Sequence, residues 1–152
     1  MGLTGNFTFE LEIKSPADKY FDGWKDIGAL FSKAIPDGTH KSEVHEGDGK
    51  SVGSINSYCF VLDGTTVATG KGKVESIDEE NKTVTFSGFG GHLEERYSKC
   101  KLNVEVFKKD GKNLVKGTIE YEKLNEEIPE PINYLDVAIK FAKGLDAHLL
   151  QA

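Results

Sequence analysis

Residues 131–151 read PINYLDVAIKFAKGLDAHLLQ, and their spacing decides the architecture. Leu135, Ala138, Ile139, Ala142, Leu145 and Leu149 recur at three- and four-residue intervals, which puts them on one face of an α-helix. Asp136, Lys140 and Lys143 take the other face. Pro131 suits the first turn, where a missing N–H costs no hydrogen bond. At 1.5 Å per residue this helix is about 30 Å long, enough to lie across a whole small domain. Such a helix needs a broad apolar surface to cover.

The chain before it supplies one. Strand-like stretches run over roughly 39–45, 54–62, 66–77, 83–89, 95–107 and 113–124. Asp63-Gly64 and Asp110-Gly111 are hairpin signals, and Asp78-Glu79-Glu80-Asn81 is a polar turn. Strands joined so tightly pair antiparallel, because a parallel crossover needs a dozen or more residues. Further back, Phe7, Phe9, Leu11 and Ile13 alternate with polar residues and predict a half-buried strand. After Pro16, the residues Tyr20, Phe21, Trp24, Ile27, Leu30 and Phe31 follow a helical spacing broken by Gly23 and Gly28, so two short helices are expected. Ile35-Pro36-Asp37-Gly38 ends them. The reading is one α+β domain over residues 1–152: a seven-stranded antiparallel sheet, two short helices and one long C-terminal helix.

Composition narrows the function. A net charge of −6 with Lys residues scattered along the chain excludes a nucleic-acid partner, which needs clustered cations against phosphate. No apolar run is long enough to span a membrane, and the N-terminus lacks the basic start and apolar stretch of a signal peptide. A cytoplasmic protein is expected, with no membrane insertion, and the sequons at Asn6 and Asn81 are discounted accordingly. Cys59 and Cys100 sit in separate apolar segments without CxxC spacing and read as buried free thiols.

Motifs for cofactors fail on inspection. The loop Glu46–Gly53 ends in Gly49-Lys50-Ser51, but a P-loop needs glycine at position 44, where Val44 stands, and a helix where a strand follows. A dinucleotide fingerprint starting at Gly47 needs glycine at position 52, which is Val52. His40, His45, His92 and His148 show no metal-ligand spacing, and no Ser-His-Asp or Cys-His set emerges. No cofactor and no metal are expected.

The order strand, helix pair, meander and long helix, together with several strings, resembles the plant major latex proteins of the birch-pollen-allergen group. The strings are MGLTGNF at the start, His45-Glu46-Gly47-Asp48 through Val52-Gly53-Ser54, Val74-Glu75-Ser76-Ile77-Asp78, Ile119-Glu120-Tyr121-Glu122-Lys123-Leu124 and Pro131-Ile132-Asn133-Tyr134-Leu135. The resemblance implies a START-like, helix-grip fold, with the sheet curved around a cavity that the long helix closes. It also implies a carrier of small hydrophobic plant metabolites or hormones, in a group where some relatives cyclise or isomerise iridoid and alkaloid intermediates. The sequence departs from that pattern at Gly49, where the loop usually carries Trp, and at Gly88, Gly90 and Gly117, where relatives place larger residues.

With the resemblance as a guide to register, strand alternation assigns an inner face. It comprises Asn56, Tyr58 and Phe60; Val67, Thr69 and Lys71; Phe86, Gly88 and Gly90; Arg96, Ser98, Cys100, Leu102 and Val104; and Val115, Gly117 and Ile119. Leu135, Ala138, Ile139, Ala142 and Leu145 face it from the long helix, and Trp24, Ile27, Leu30 and Phe31 from the short ones. Small residues on this face (Gly88, Gly90, Gly117, Ser98, Ala138, Ala142) and polar ones (Asn56, Thr69, Lys71) favour a cavity over a solid core, since a solid core seldom admits Lys or Asn. A one-residue slip reverses any strand.

Two functions stay open. A binding and carrier module needs only the cavity. A cofactor-free cyclase or isomerase would add orientation and proton transfer, with His92, Tyr58, Lys71 and His40 as candidate catalytic groups. A protein-interaction module such as a hormone co-receptor is a third class, less favoured.

Overall fold

The computed structural model describes residues 3–62 and 66–151. β1 (Thr4–Ile13) leads into α1 (Ala17–Lys25) and α2 (Ile27–Ala34). Six strands follow: β2 (Lys41–Glu46), β3 (Ile55–Leu62), β4 (Thr66–Asp78), β5 (Thr83–Phe89), β6 (Tyr97–Lys109) and β7 (Lys112–Lys123). A one-turn helix, α3 (Gly91–Glu94), interrupts the meander, and α4 (Ile132–Leu150) closes the chain. The seven strands form one antiparallel sheet in the order β1-β7-β6-β5-β4-β3-β2, which is the helix-grip arrangement the sequence predicts.

Turn chemistry explains the meander. Asp110 and Gly111 take φ of 53° and 77°, the two positive values of a two-residue turn, and Lys109 pairs with Lys112 across it. At residues 78–81 the Asp78 carboxylate accepts from the Asn81 backbone N–H (3.0 Å) and side-chain amide (2.8 Å). The Asp63-Gly64 signal lies outside the described residues. α3 was not expected from the sequence, because four residues are too few to show a helical period.

One end of the space between sheet and α4 is packed solid. Tyr20, Phe21, Leu145, Val106 and Val115 are buried there, and the Tyr20 hydroxyl donates to the Ala142 carbonyl at 2.8 Å. A Cβ on Gly144 would stand 1.9 Å from the Ala34 carbonyl oxygen, so α4 and α2 touch backbone to backbone. The Lys14 and Ser15 amides and the Ser15 hydroxyl donate to the Asp146 carboxylate, which ties α4 to the end of β1. Next to this solid end the buried Trp24 and Phe141 rings form a T-shaped pair, 4.8 Å apart.

Candidate functional site

Towards the other end of α4 the packing opens into a cavity of about 160 Å³. Its floor comes from Tyr58 and Phe60 of β3, Gly70 and Gly72 of β4, Phe86 and Gly88 of β5, Cys100 and Leu102 of β6 and Ile119 of β7. Tyr134, Val137, Ala138 and Phe141 of α4 form the roof; Trp24, Ile27, Phe31 and Leu93 close the sides. Lys71, Ser87 and Lys101 also border it. Among the residues expected to face inward from sequence, Trp24, Ile27, Phe31, Tyr58, Phe60, Lys71, Phe86, Gly88, Cys100, Leu102, Ile119 and Ala138 border this space.

Others lie elsewhere. Val67 and Thr69 are exposed, because β3 pairs with β4 as Tyr58↔Gly70 and Phe60↔Ala68, so the even-numbered residues of β4 face inward. A two-residue turn at Asp63-Gly64 would join Leu62 to Thr65 and turn the odd residues in; the pairing Leu62↔Thr66 reverses that parity. Ser98 is exposed because a bulge between Tyr97 and Lys99 re-aims the strand, leaving Tyr97 inward and the Ser98 hydroxyl donating to Glu122 at 2.7 Å. Arg96 precedes β6. On α4, Leu135 and Ala142 are buried in packing and Ile139 is half-buried, while the cavity face is turned to Tyr134, Val137, Ala138 and Phe141. Leu30 packs on the core without bordering the cavity.

The glycines expected to give room are mostly occupied by neighbours. A Cβ on Gly117 would lie 2.2 Å from the Phe9 ring, so that glycine seats Phe9. Gly88 faces Leu93 at 2.9 Å by the same measure. Gly90, with φ of 70°, turns the chain into α3 beside the Lys71 stem.

The polar candidates separate by position. The Lys71 ammonium sits outside, 3.4 Å from His45 Nε2. Thr69 and Lys71, the latter also bordering the cavity, line a wider depression of about 530 Å³ on the outer face of β2–β4, with Lys41, Glu43, Ser57 and Cys59, where a small apolar guest finds little to bury against. His40 is buried with both ring nitrogens engaged: Nδ1 contacts Asp37 Oδ2 at 2.6 Å and Nε2 accepts the Val61 N–H at 3.4 Å. Its ring leans on Phe31 at 5.6 Å and it does not border the cavity. The backbone N–H groups of His40 and Thr39, with the His40 ring, hold the Asp37 carboxyl down at about 2.

Asn56 is buried beside the cavity, where its amide donates to the Gly49 carbonyl at 2.9 Å and to the Tyr58 hydroxyl at 3.4 Å. That bond anchors the loop before β3. A side chain at Gly49 would meet Val44 at 2.9 Å and a φ of 88°, which accounts for glycine there. Burial pushes the Tyr58 hydroxyl up to about 12 and the Cys100 thiol up to about 11, so both present neutral groups to the cavity.

His92 stands just behind the wall and reaches the cavity through Tyr134, whose hydroxyl hydrogen-bonds to His92 Nδ1. Burial, then the nearby Arg96 charge, keeps the imidazole pKa below its ordinary value. Sequence reasoning missed Tyr134, Val137, Phe141, Leu93 and, through the parity of β4, Gly70 and Gly72. The first three obey the same three-four-seven spacing as the stripe quoted above, one step around the helix, and that second stripe was the available signal. Leu93 sits on a turn too short to carry any pattern.

None of the described residues forms a group of three or more His, Cys, Asp or Glu able to hold a metal ion. No helix among them is long and apolar enough to cross a membrane.

Known proteins share this architecture along the whole chain. An MLP-like protein 423 from Arabidopsis thaliana is 36% identical over 151 residues, covering 99% of this chain and 97% of the relative. The crystal structure of ginseng major latex-like protein 151 from Panax ginseng is 33% identical and superposes with a TM-score of 0.89 over 98% of this chain and 99% of that one. Truncated norcoclaurine synthase from Thalictrum flavum shares the fold, with a TM-score of 0.79 at 22% identity over 98% of this chain and 95% of that one. The family described as pathogenesis-related protein Bet v 1, whose members bind hydrophobic ligands, matches residues 2–152, and the chain belongs to it.

Proposed function

We propose that the cavity under α4 binds one small apolar molecule and that the protein carries or stores it. The observation that carries this reading is the lining: seven aromatic side chains (Trp24, Phe31, Tyr58, Phe60, Phe86, Tyr134, Phe141) and neighbouring aliphatics around about 160 Å³. Apolar voids of roughly 150 Å³ stay dry and take up benzene-sized guests. A guest of about ten heavy atoms, at about 0.6 kcal/mol each, binds with a Kd of about 40 μM. The hydroxyls of Tyr58 and Tyr134 orient it through one polar atom. A hydrophobic plant metabolite of the terpenoid, iridoid, alkaloid or hormone-like kind fits that description, and free thiols at Cys59 and Cys100 accord with a cytoplasmic protein.

A second reading rests on the Tyr134–His92 hydrogen bond, which links a cavity hydroxyl to a half-buried imidazole. In a cofactor-free isomerase or cyclase, the Tyr134 hydroxyl would give its proton to a basic atom of the guest while His92 Nδ1–H restores it and His92 Nε2 takes one from water. The hydroxide left behind takes the proton that the guest loses at another position, so no net proton is consumed. Trp24 is the single tryptophan and borders the cavity, so its fluorescence reports occupancy. Titration with terpenoid, iridoid and alkaloid intermediates, with product analysis of the same samples, separates the readings. Saturable quenching with unchanged products supports the carrier. An isomer ratio that shifts with wild type and returns to the uncatalysed value with Tyr134→Phe supports the enzyme. Absence of saturable quenching by every compound overturns both.

A further inference from the structure

We propose that Leu93 is the size filter of this cavity: it fills the space above Gly70 and Gly88 and thereby excludes flat fused-ring guests larger than two rings. The inference rests on the reading that the cavity binds an apolar guest.

The sheet is incomplete where Leu93 sits. The β5–β6 ladder ends at Ser87↔Lys101, whereas β4–β5 continues to Lys71↔Phe89 and β6–β7 starts at Tyr97. Between the end of β5 and the start of β6 there is thus a wedge with no cross-strand pairing. The one-turn helix α3 lies across it, and Leu93 is its one buried residue.

Two glycines shape the seat. A Cβ on Gly70 would stand 3.4 Å from Leu93 Cδ1, and one on Gly88 would stand 2.9 Å from the same methyl. The strands supply no side chain at these positions, so the leucine supplies the volume instead. Removing it merges that volume with the cavity, because Gly70, Gly88 and Leu93 all border the same space.

The mounting differs from that of the aliphatic wall residues on the sheet and on α4. Leu102 and Ile119 face each other across a paired ladder, and Val137 and Ala138 are fixed by a long helix. Leu93 hangs on a four-residue turn entered through Gly90 and Gly91, both at positive φ. Its attachments are the close approach of Gly91 to the Thr69 carbonyl, where a Cβ would lie 2.3 Å away, and the His92–Tyr134 hydrogen bond. A side chain so held sets guest size without the sheet having to change.

The test compares 2-naphthol, with two fused rings, and pyren-1-ol, with four, by quenching of Trp24. Saturable binding of 2-naphthol to the wild type establishes the underlying reading; its absence sinks that reading and leaves the filter without a site. Given that binding, Leu93→Ala is expected to tighten pyren-1-ol at least about tenfold while moving 2-naphthol less than about threefold. Leu93→Val, a smaller deletion that keeps a branched side chain in the seat, is expected to move pyren-1-ol in the same direction by less. Leu30→Ala removes the same carbons from a side chain that packs on the core without bordering the cavity, and is expected to leave pyren-1-ol weak. The proposal is overturned if neither Leu93 variant tightens pyren-1-ol, or if Leu30→Ala tightens it as much as Leu93→Ala does.

Discussion

The two ends of the space beneath α4 share one sheet and one helix, yet one is solid and the other hollow. At the solid end Tyr20, Leu145 and Val115 have no exposed surface, and glycines there are filled: Gly23 by Leu145, Gly117 by Phe9 and Gly144 by the backbone of α2. At the hollow end Gly70, Gly72 and Gly88 face Leu93, Phe60, the Tyr58 ring, Cys100 and the Phe89 carbonyl oxygen, and about 160 Å³ stays free. Small residues therefore do not by themselves make a cavity. What matters is whether the opposite layer sends a large side chain or a backbone into the space they leave.

This contrast is broken first at the solid end. Leu145→Ala is expected to cost about 4 kcal/mol of unfolding free energy, since its neighbours are held from every side and relax little into the void. Gly144→Ala should follow at about 3 kcal/mol, because the new methyl meets the Ala34 carbonyl and α2 must move off α4. Urea unfolding at fixed pH measures both. At the hollow end Leu102→Ala should cost only about 1–2 kcal/mol, as Leu102 is already half-buried against free space. A loss for Leu102→Ala equal to that for Leu145→Ala would erase the distinction.

The smallest effect concerns the anchor of the α2–β2 corner. Asp37 has a folded pKa of about 2, below the ordinary carboxylate value near 4. Its stabilisation is complete above about pH 4 and is lost as pH falls towards 2. Asp37 is 46% exposed, so solvent screening leaves under about 1 kcal/mol. Asp37→Asn should flatten that part of the stability profile between about pH 5 and pH 2, seen in urea midpoints.

Much of the fold was legible because its signals are local and periodic: the stripe of α4, the alternation Phe7 to Ile13, and the Asp110-Gly111 turn. The site was legible only in part. On β3 and β5 the apolar alternation set the inner face, but on β4 the parity depended on one residue of turn length, and on β6 a bulge at Tyr97/Lys99 broke it. Neither leaves a trace in hydrophobicity, since Val67 and Tyr97 are both plausible on either face. Whether Gly117 opens space or seats Phe9 depends on a contact between β1 and β7, 108 positions apart in the chain, counted as 117 minus 9.

The central claim is that a guest enters the hollow end and leaves the solid end untouched. Methyl NMR of the intact protein titrated with 2-naphthol tests it residue by residue. The structure predicts saturable shifts at Leu93, Leu102, Ile119, Val137 and Ala138, with Val106, Val115 and Leu145 unmoved. Shifts centred on Val106, Val115 and Leu145, or no saturable shift at the first group, would contradict it.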